Sequence, residues 1–397
     1  MLIILYPYKF MDHDYNKFQI KELKKFFKEK LEIHDLSNLI SKNFDKAFIG
    51  KVNKQAIIFK DILQWKSHLK ELLKIEKKIF VLNCIDLYNL KSFLIFYYLS
   101  KYKFEIIEQN SAEVYEYIRS RTVCLKVLSF INFFFFNRTR LYFIIKQFIF
   151  LKLIIFLKFK KVYVTTVGSV GKTNVKPRFN NSIKIKYIDY HSADYNNYII
   201  SKKKFKLNCN KNFVVFLDSK TPAFIGDRSL FGFKIKYNKI KWYNDLNYFL
   251  DKIEKIFRTK IIIVPHPSVR HLENTYYNKR FTVSKDANSA NKLISNCRFV
   301  ISINPTTAVS YCVLYYRPIV FIYNNQMLEH NIDNFMEMKN LSKILSVQLL
   351  NINTNFSKKD FLFRVDRKKY LIYKYNFLTS KKIKNVNNLD ILKKIML

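Results

Sequence analysis

Short apolar runs alternate with helical periodicity along most of the chain. Positions 2–6, 31–34, 79–82, 161–165, 186–190, 213–217, 261–264, 299–303 and 319–323 read as strands buried on both faces. Between them, 18–31, 90–99, 288–296 and 308–316 carry helical patterns, as does a stripe of Trp242, Leu246, Phe249, Leu250, Ile253 and Phe257. Strand and helix in regular alternation predict βαβ units and a mostly parallel sheet, an α/β fold. The charged, Asn-rich stretch 202–212 looks like a crossing between two such units. The expected organisation is 1–205, 206–375 and a tail helix within 376–397. Beyond Asn324 the pattern weakens until 389–397, a short amphipathic helix.

The most apolar region, 127–159, is broken by Lys146, Lys152 and Lys158. No charge-free run in it reaches the ~18 residues that a spanning helix needs. The three lysines do not share one helical face, so an interfacial helix and a buried core helix both stay open. Residues 1–6 lack a basic leading region and read as a first strand rather than a signal peptide. The chain is long enough for two cores at 397 residues, and at 49% hydrophobic it is too apolar for disorder.

A formal charge of +41 calls for an anionic partner or surface. The lysines are scattered and accompany no zinc-finger or RNP signature, so an anionic membrane face or a phosphate-bearing substrate fits as well as nucleic acid. The five cysteines form no CxxC pair, the pattern of buried thiols in a reducing compartment.

Candidate chemistry gathers where strands end, which is where open α/β sheets bind ligands. Asp218 follows the strand 213–217 and could deprotonate an acceptor hydroxyl, or cap a turn. His266 sits between Pro265 and Pro267 after 261–264, where a histidine can donate to phosphate or act near neutral pH. Asn304, Thr306 and Thr307 lie between the strand 299–303 and a helix, a setting for phosphate or for an ordinary N-cap. His191, Asp194 and Asp227 are further cleft candidates, the two aspartates as reserve bases. Gly168-Ser169-Val170-Gly171-Lys172-Thr173 suggests a phosphate loop, as in Mur-type ligases. It has two residues between its glycines rather than four, and Pro177 follows in Asn- and Lys-rich sequence, so a loop at an interdomain cleft is expected there. No Asp-x-Asp stands at a strand end to hold a metal; the nearest is Asp12-His13-Asp14.

Three segments together resemble a known group: Phe216-Leu217-Asp218, Pro265-His266-Pro267 and the 302–308 strand-to-helix segment. They look like bacterial GT-B glycosyltransferases of surface-polysaccharide (capsule and lipooligosaccharide) loci. In motif logic they are similar to bacterial sialyltransferases and polysialyltransferases, which order an acidic motif, a His-Pro motif and a Ser/Thr phosphate motif in this way. His191-Ser192-Ala193-Asp194-Tyr195 and Pro7-Tyr8-Lys9-Phe10 add to the resemblance. It implies two Rossmann-like domains facing a cleft and a metal-independent, inverting transfer. The donor would be a sugar nucleotide, plausibly a CMP-linked nonulosonate, and the acceptor a glycan or lipid-linked. Asp218 and His266 would be catalytic, Asp218 as the base and His266 contacting the nucleotide phosphate or assisting the departing nucleotide, with Pro267, Asn304, Thr306 and Thr307 binding the nucleotide and its phosphate. The enzyme would sit in the cytoplasm against the anionic inner membrane, with no nucleic acid. Departures are Ser219-Lys220 after Asp218, threonines in place of serines, and Pro305 before them. The alternatives are a non-catalytic basic protein binding nucleic acid or membrane, and an ATP-dependent ligase using 168–173.

Overall fold

The computed structural model describes residues 1–40, 52–85, 90–102, 104–109, 149–150, 152–174, 179, 181–202, 212–218, 222, 237–266, 276–284 and 289–396. Two wholly parallel sheets form among them. The first contains β1 (Leu2–Tyr6), β2 (Leu31–Asp35), β3 (Ile57–Ile58), β4 (Phe80–Asn83), β5 (Glu105–Glu108), β6 (Lys161–Val167) and β7 (Ile185–Tyr190). The second contains β8 (Phe213–Leu217), β9 (Lys260–Val264), β10 (Thr282–Val283), β11 (Val300–Ser302), β12 (Ile319–Tyr323) and β13 (Gln348–Asn351). Their orders are β3-β2-β1-β4-β5-β6-β7 and β10-β9-β8-β11-β12-β13. Each therefore reverses direction once, between β1 and β4 and between β8 and β11, the Rossmann pattern.

The strands form because both faces are covered. Leu2 to Leu5 and Val214 to Phe216 are inaccessible to solvent along their whole runs, as central parallel strands require. The helix Lys239–Phe257 places Trp242, Leu246, Phe249, Leu250, Ile253 and Phe257 in the second core. Each such burial stabilises by roughly 1.5–3 kcal/mol. Asn238 caps its start by accepting from the Lys241 amide at 3.1 Å, and Arg258 ends it in the left-handed conformation at φ 47°.

Several elements differ from the sequence expectation. The polar residues Asp12–Lys17 form a helix of their own, held by Asp14, which accepts from the Met11 amide and from the Tyr6 hydroxyl at 2.7 Å. The helix expected at 18–31 narrows to Ile20–Phe26. The weakly patterned stretch beyond Asn324 contains the helices Asn325–His330, Ile332–Leu345 and Arg367–Tyr373 besides β13. Residues 168–173, expected as a loop, belong to the helix Gly168–Asn174. Weak local propensity is overridden there by packing against the π-helical turn Lys374–Leu378. Of 127–159, residues 127–148 and 151 lie outside the described residues. Phe150, Ile154, Leu157 and Phe159 are buried in the first core. No described helix is long and apolar enough to cross a membrane.

The chain finishes by crossing back. Phe377 and Leu378 belong to the second core, whereas Leu389, Ile391, Leu392 and Met396 of the helix Asn388–Met396 pack with Leu2, Ile4, Phe10 and Leu23 of the first. The crossing passes directly over Gly168, which adopts φ +63°; a Cβ there would collide with the backbone of Tyr375 and Asn376. Gly168→Ala therefore combines a left-handed penalty with a backbone clash. It should lower unfolding free energy by about 2 kcal/mol or more, read as a lower denaturant midpoint; an unchanged midpoint would refute this close approach.

Candidate functional site

The second sheet brings the carboxyl ends of β9, β8 and β11 side by side, with β8 in the middle. Asp218 follows β8 and keeps its register, its amide donating to the Val264 carbonyl of β9 at 3.0 Å. Its side chain is only 7% exposed. On one side β9 delivers buried Pro265 and half-buried His266; on the other, β11 leads through Asn304 to Thr306 and Thr307. Neighbouring strands lie ~4.8 Å apart, so the roots of His266 and of the threonine segment flank Asp218 and are separated by roughly 10 Å. This junction is where the strand order reverses.

The threonine segment is a tight turn. Ser302 Oγ donates to the Asn304 carbonyl at 2.7 Å, and the Thr306 amide donates to the same oxygen at 2.9 Å. Thr306 Oγ1 accepts from the Ala308 amide at 3.3 Å, which commits its oxygen and leaves its proton to donate. Thr307 is exposed. The Asn304 side chain accepts from Asn334 of the helix Ile332–Leu345. Asn334 thus fixes the turn from an element that the sequence pattern did not reveal.

Tyr277 is a second residue that the sequence did not single out. It is buried beside Asp218, and burial together with that carboxylate pushes its phenol well above the ordinary tyrosine pKa. Edge contacts with Tyr243 at 5.4 Å and Phe216 at 6.3 Å fix the ring. Nothing in the sequence separates it from the chain's other tyrosines; its role is set by a fold contact across the sheet.

The remaining candidates scatter. Asp194, at the start of the helix Ala193–Lys202, faces the second domain; its charge contributes to raising the pKa values of Tyr311 and Tyr373, behind burial as the larger cause. Tyr311 lies in the helix Val309–Leu314, just beyond Thr307. His191 is buried. One ring nitrogen donates to the Val386 carbonyl at 2.5 Å, the other accepts from the Thr379 hydroxyl at 2.8 Å, and its backbone exchanges two bonds with Asn388. It pins the end of β7 to the returning chain. Pro267 and Asp227 lie outside the described residues.

The Gly168–Thr173 segment does not present a free phosphate loop. Ser169 Oγ donates to Asn376 Oδ1 at 2.7 Å, Lys172 pairs with Asp189 at 2.5 Å, and the Tyr375 and Asn376 carbonyls cover Gly168. The segment, expected as a loop at an interdomain cleft, is a helix start in structural contact with the returning chain, and the alternative of an ATP-dependent ligase gains no support from it.

Glu32, His34 and His68 bring three potential metal ligands within 4.8 Å of one another. Glu32 bonds both imidazoles at 2.8 Å. The Trp65 indole N–H donates to His34 Nδ1 at 3.2 Å, so neutral His34 carries its proton on Nε2 and spends it on Glu32. A metal on Nε2 would require a proton on Nδ1, facing that indole N–H. The arrangement suits a hydrogen-bonded triad better than a metal.

No family profile and no characterised protein sequence matches this chain. Among solved structures, it is similar to the glycosyltransferase SnogD from Streptomyces nogalater, with TM-score 0.48, 8% identity, and 100% and 98% of the two chains covered. It is also similar to MurG of Acinetobacter baumannii, at 0.42 and 10% over 99% of both chains. A UDP-N-acetylglucosamine 2-epimerase from Rickettsia bellii aligns at 0.39 and 11%, covering 100% and 94%. Similarities of this size carry no argument about activity. The GT-B-like architecture rests on the two strand orders themselves.

Burial lowers the pKa values of His34 and His191, so both stay neutral in the folded protein. The unfolded chain takes up these protons near pH ~6.5. Their contribution to stability is present above that value and is lost as pH falls below it. Urea midpoints should drop between pH 7.5 and 5.5, and less steeply in His191→Gln; a slope unchanged by this substitution would exclude His191 as a cause.

Proposed function

We propose that this protein is a nucleotide-sugar-dependent glycosyltransferase, metal-independent and inverting, with its donor held by the second sheet. One observation carries the reading: an acid, a histidine and a hydroxyl pair stand on three adjacent strand ends at the point where the strand order reverses. In this reading Asp218 takes the proton from the acceptor hydroxyl as that oxygen attacks the anomeric carbon, opposite the nucleotide. Tyr277 packs behind Asp218 and limits its motion. The Thr306 and Thr307 hydroxyls and His266 donate to the phosphate as it departs with the glycosidic electrons. The resemblance in motif order favours a CMP-linked nonulosonate donor and a cell-surface glycan or lipid-linked acceptor. CMP should raise the melting temperature, and UDP and GDP should not. Asp218→Asn should keep that shift while reducing transfer by about 10²–10⁴-fold. His266→Ala should weaken the shift. Normal turnover in both variants sinks the assignment, and salt-sensitive DNA binding without any nucleotide shift would favour the non-catalytic alternative.

The same reading puts the enzyme at the anionic cytoplasmic face of the inner membrane. Its support is one side of the first domain, where the helix Leu90–Lys101 and the segment 149–158 lie together. Phe93 and Phe150 stack at 6.0 Å, and Ser100 bonds both backbone groups of Lys158. Leu90, Tyr97, Ile149, Leu153, Ile155 and Phe156 are exposed there, Phe156 at 78%, amid Lys91, Lys101, Lys152 and Lys158. Apolar side chains interspersed with lysines, in stretches 90–101 and 149–158 that contain no Asp or Glu, match an anionic lipid surface. Sedimentation with vesicles containing phosphatidylglycerol should fall in Leu153→Glu/Phe156→Glu, with no loss of CMP binding; unchanged sedimentation would remove this face from the reading.

A further inference from the structure

The seam between the helix Ala193–Lys202 and the returning chain holds a group of lysines; of its acids, Asp189 pairs with Lys172 and accepts from Ser380, and Asp194 lies toward Tyr311 and Tyr373. Lys374 opens the π-helical turn and is half-buried, its ammonium 5.4 Å from the ring centre of Tyr195 and 5.3 Å from that of Tyr375. Lys381 approaches the Tyr375 ring at 5.6 Å, and Lys202 the Tyr198 ring at 5.7 Å. The Tyr195 hydroxyl donates to the Lys384 carbonyl at 3.1 Å, drawing that residue into the group. Among the described residues, none of the four lysines pairs with a carboxylate, whereas nearby Lys172 does. Desolvation lowers the Lys374 pKa, and the charges of Lys202 and Lys384 lower it further.

A half-buried ammonium facing like charges has lost part of its hydration, and aromatic faces return only ~0.5–2 kcal/mol of attraction. Partner acids would be the ordinary remedy, as in the Arg280 pairing with Asp251 and Glu254. Here no described carboxylate pairs with these lysines, Asp189 being taken by Lys172, although the fold brings the lysines together from two chain segments. Convergent ammonium groups match an anion of several charges better than a single carboxylate.

We propose that Lys202, Lys374, Lys381 and Lys384, set among Tyr195, Tyr198 and Tyr375, form a binding site for a phosphate or pyrophosphate group. The site uses none of the residues assigned to the donor. It is nevertheless close to that region, because Tyr373 beside Lys374 reaches Ser310 in the helix that follows Thr307. Where the transfer reading holds, the ligand is the phosphorylated end of the acceptor; the anion site itself does not depend on that reading. The phosphate can be soluble or part of a lipid headgroup, and the chemistry of recognition is the same.

Calorimetric titration with inorganic pyrophosphate at physiological salt tests the soluble source, and flotation with phosphatidylcholine vesicles with or without phosphatidic acid tests the lipid one. Lys374→Gln/Lys384→Gln should weaken whichever binding the wild-type protein displays by roughly tenfold, the scale of one lost charge-assisted hydrogen bond. Lys358→Gln/Lys359→Gln, an equal loss of charge on an exposed turn, should leave it within about twofold. Thr306→Val/Thr307→Val should retain it, while Lys374→Gln/Lys384→Gln keeps the CMP shift, so the two sites report separately. The proposal is overturned if wild-type protein binds neither probe, if the Lys374/Lys384 variant binds as wild type, if the control variant loses as much, or if binding follows the threonines. Circular dichroism melts verify that each variant is folded, and Lys374→Arg should restore binding.

Discussion

The fit of the chain over Gly168 is the constraint on which the rest of the molecule depends. At that point the backbone leaving β6 turns left-handed, and the carbonyls of Tyr375 and Asn376 lie where a side chain would otherwise be. Around it the two halves exchange directed bonds: Ser169 with Asn376, His191 with Val386 and Thr379, and Asn388 with both His191 and Asn196. Apolar contact alone would tolerate sliding; these directed bonds, three of them to backbone groups, fix a register. They hold the carboxyl ends of β6 and β7 against the returning chain, whose turn Lys374–Leu378 packs, with the helix Ala193–Lys202, on the helix Val309–Leu314, and so set how closely the first domain approaches the candidate site.

The long buried strands were legible because each is a continuous apolar run that can satisfy itself only inside a parallel sheet. β5 was not, since Glu105 and Glu108 bracket just two isoleucines. The helix Ile332–Leu345 was also obscured, because its inner face carries Asn334, Glu337 and Ser342 among the apolar residues. Strand-end positions for Asp218, His266 and the threonines could be read from local punctuation by proline and by changes of polarity. Tyr277 and Asn334 could not, because each matters through a partner distant in sequence. His191 shows the converse: a histidine after a strand has the local look of a functional group, but tertiary bonds commit both of its nitrogens.

Charge is arranged on two scales. The surplus of 71 basic over 30 acidic side chains gives a long-range attraction for anions that needs no precise geometry. Within it, described ion pairs such as Lys74 with Glu71 and His330 with Glu329 sit at exposed positions, where each contributes little. The contacts that organise the fold are instead neutral or singly charged hydrogen bonds within the interior, such as the indole–imidazole–carboxylate chain from Trp65 through His34 to Glu32. A protein built this way can carry its net charge without routing its stability through salt-sensitive pairs.

The return of residues 389–396 to the first core also bears on how the molecule is made. Leu2 and Ile4 lie in β1, yet part of the apolar cover over their sheet comes from Leu389, Leu392 and Met396, far along the chain. During synthesis the second domain can gather its own core before this helix leaves the ribosome, whereas the first must wait with one face incompletely covered. Docking of this helix then closes the first domain and locks it to its neighbour in the same step.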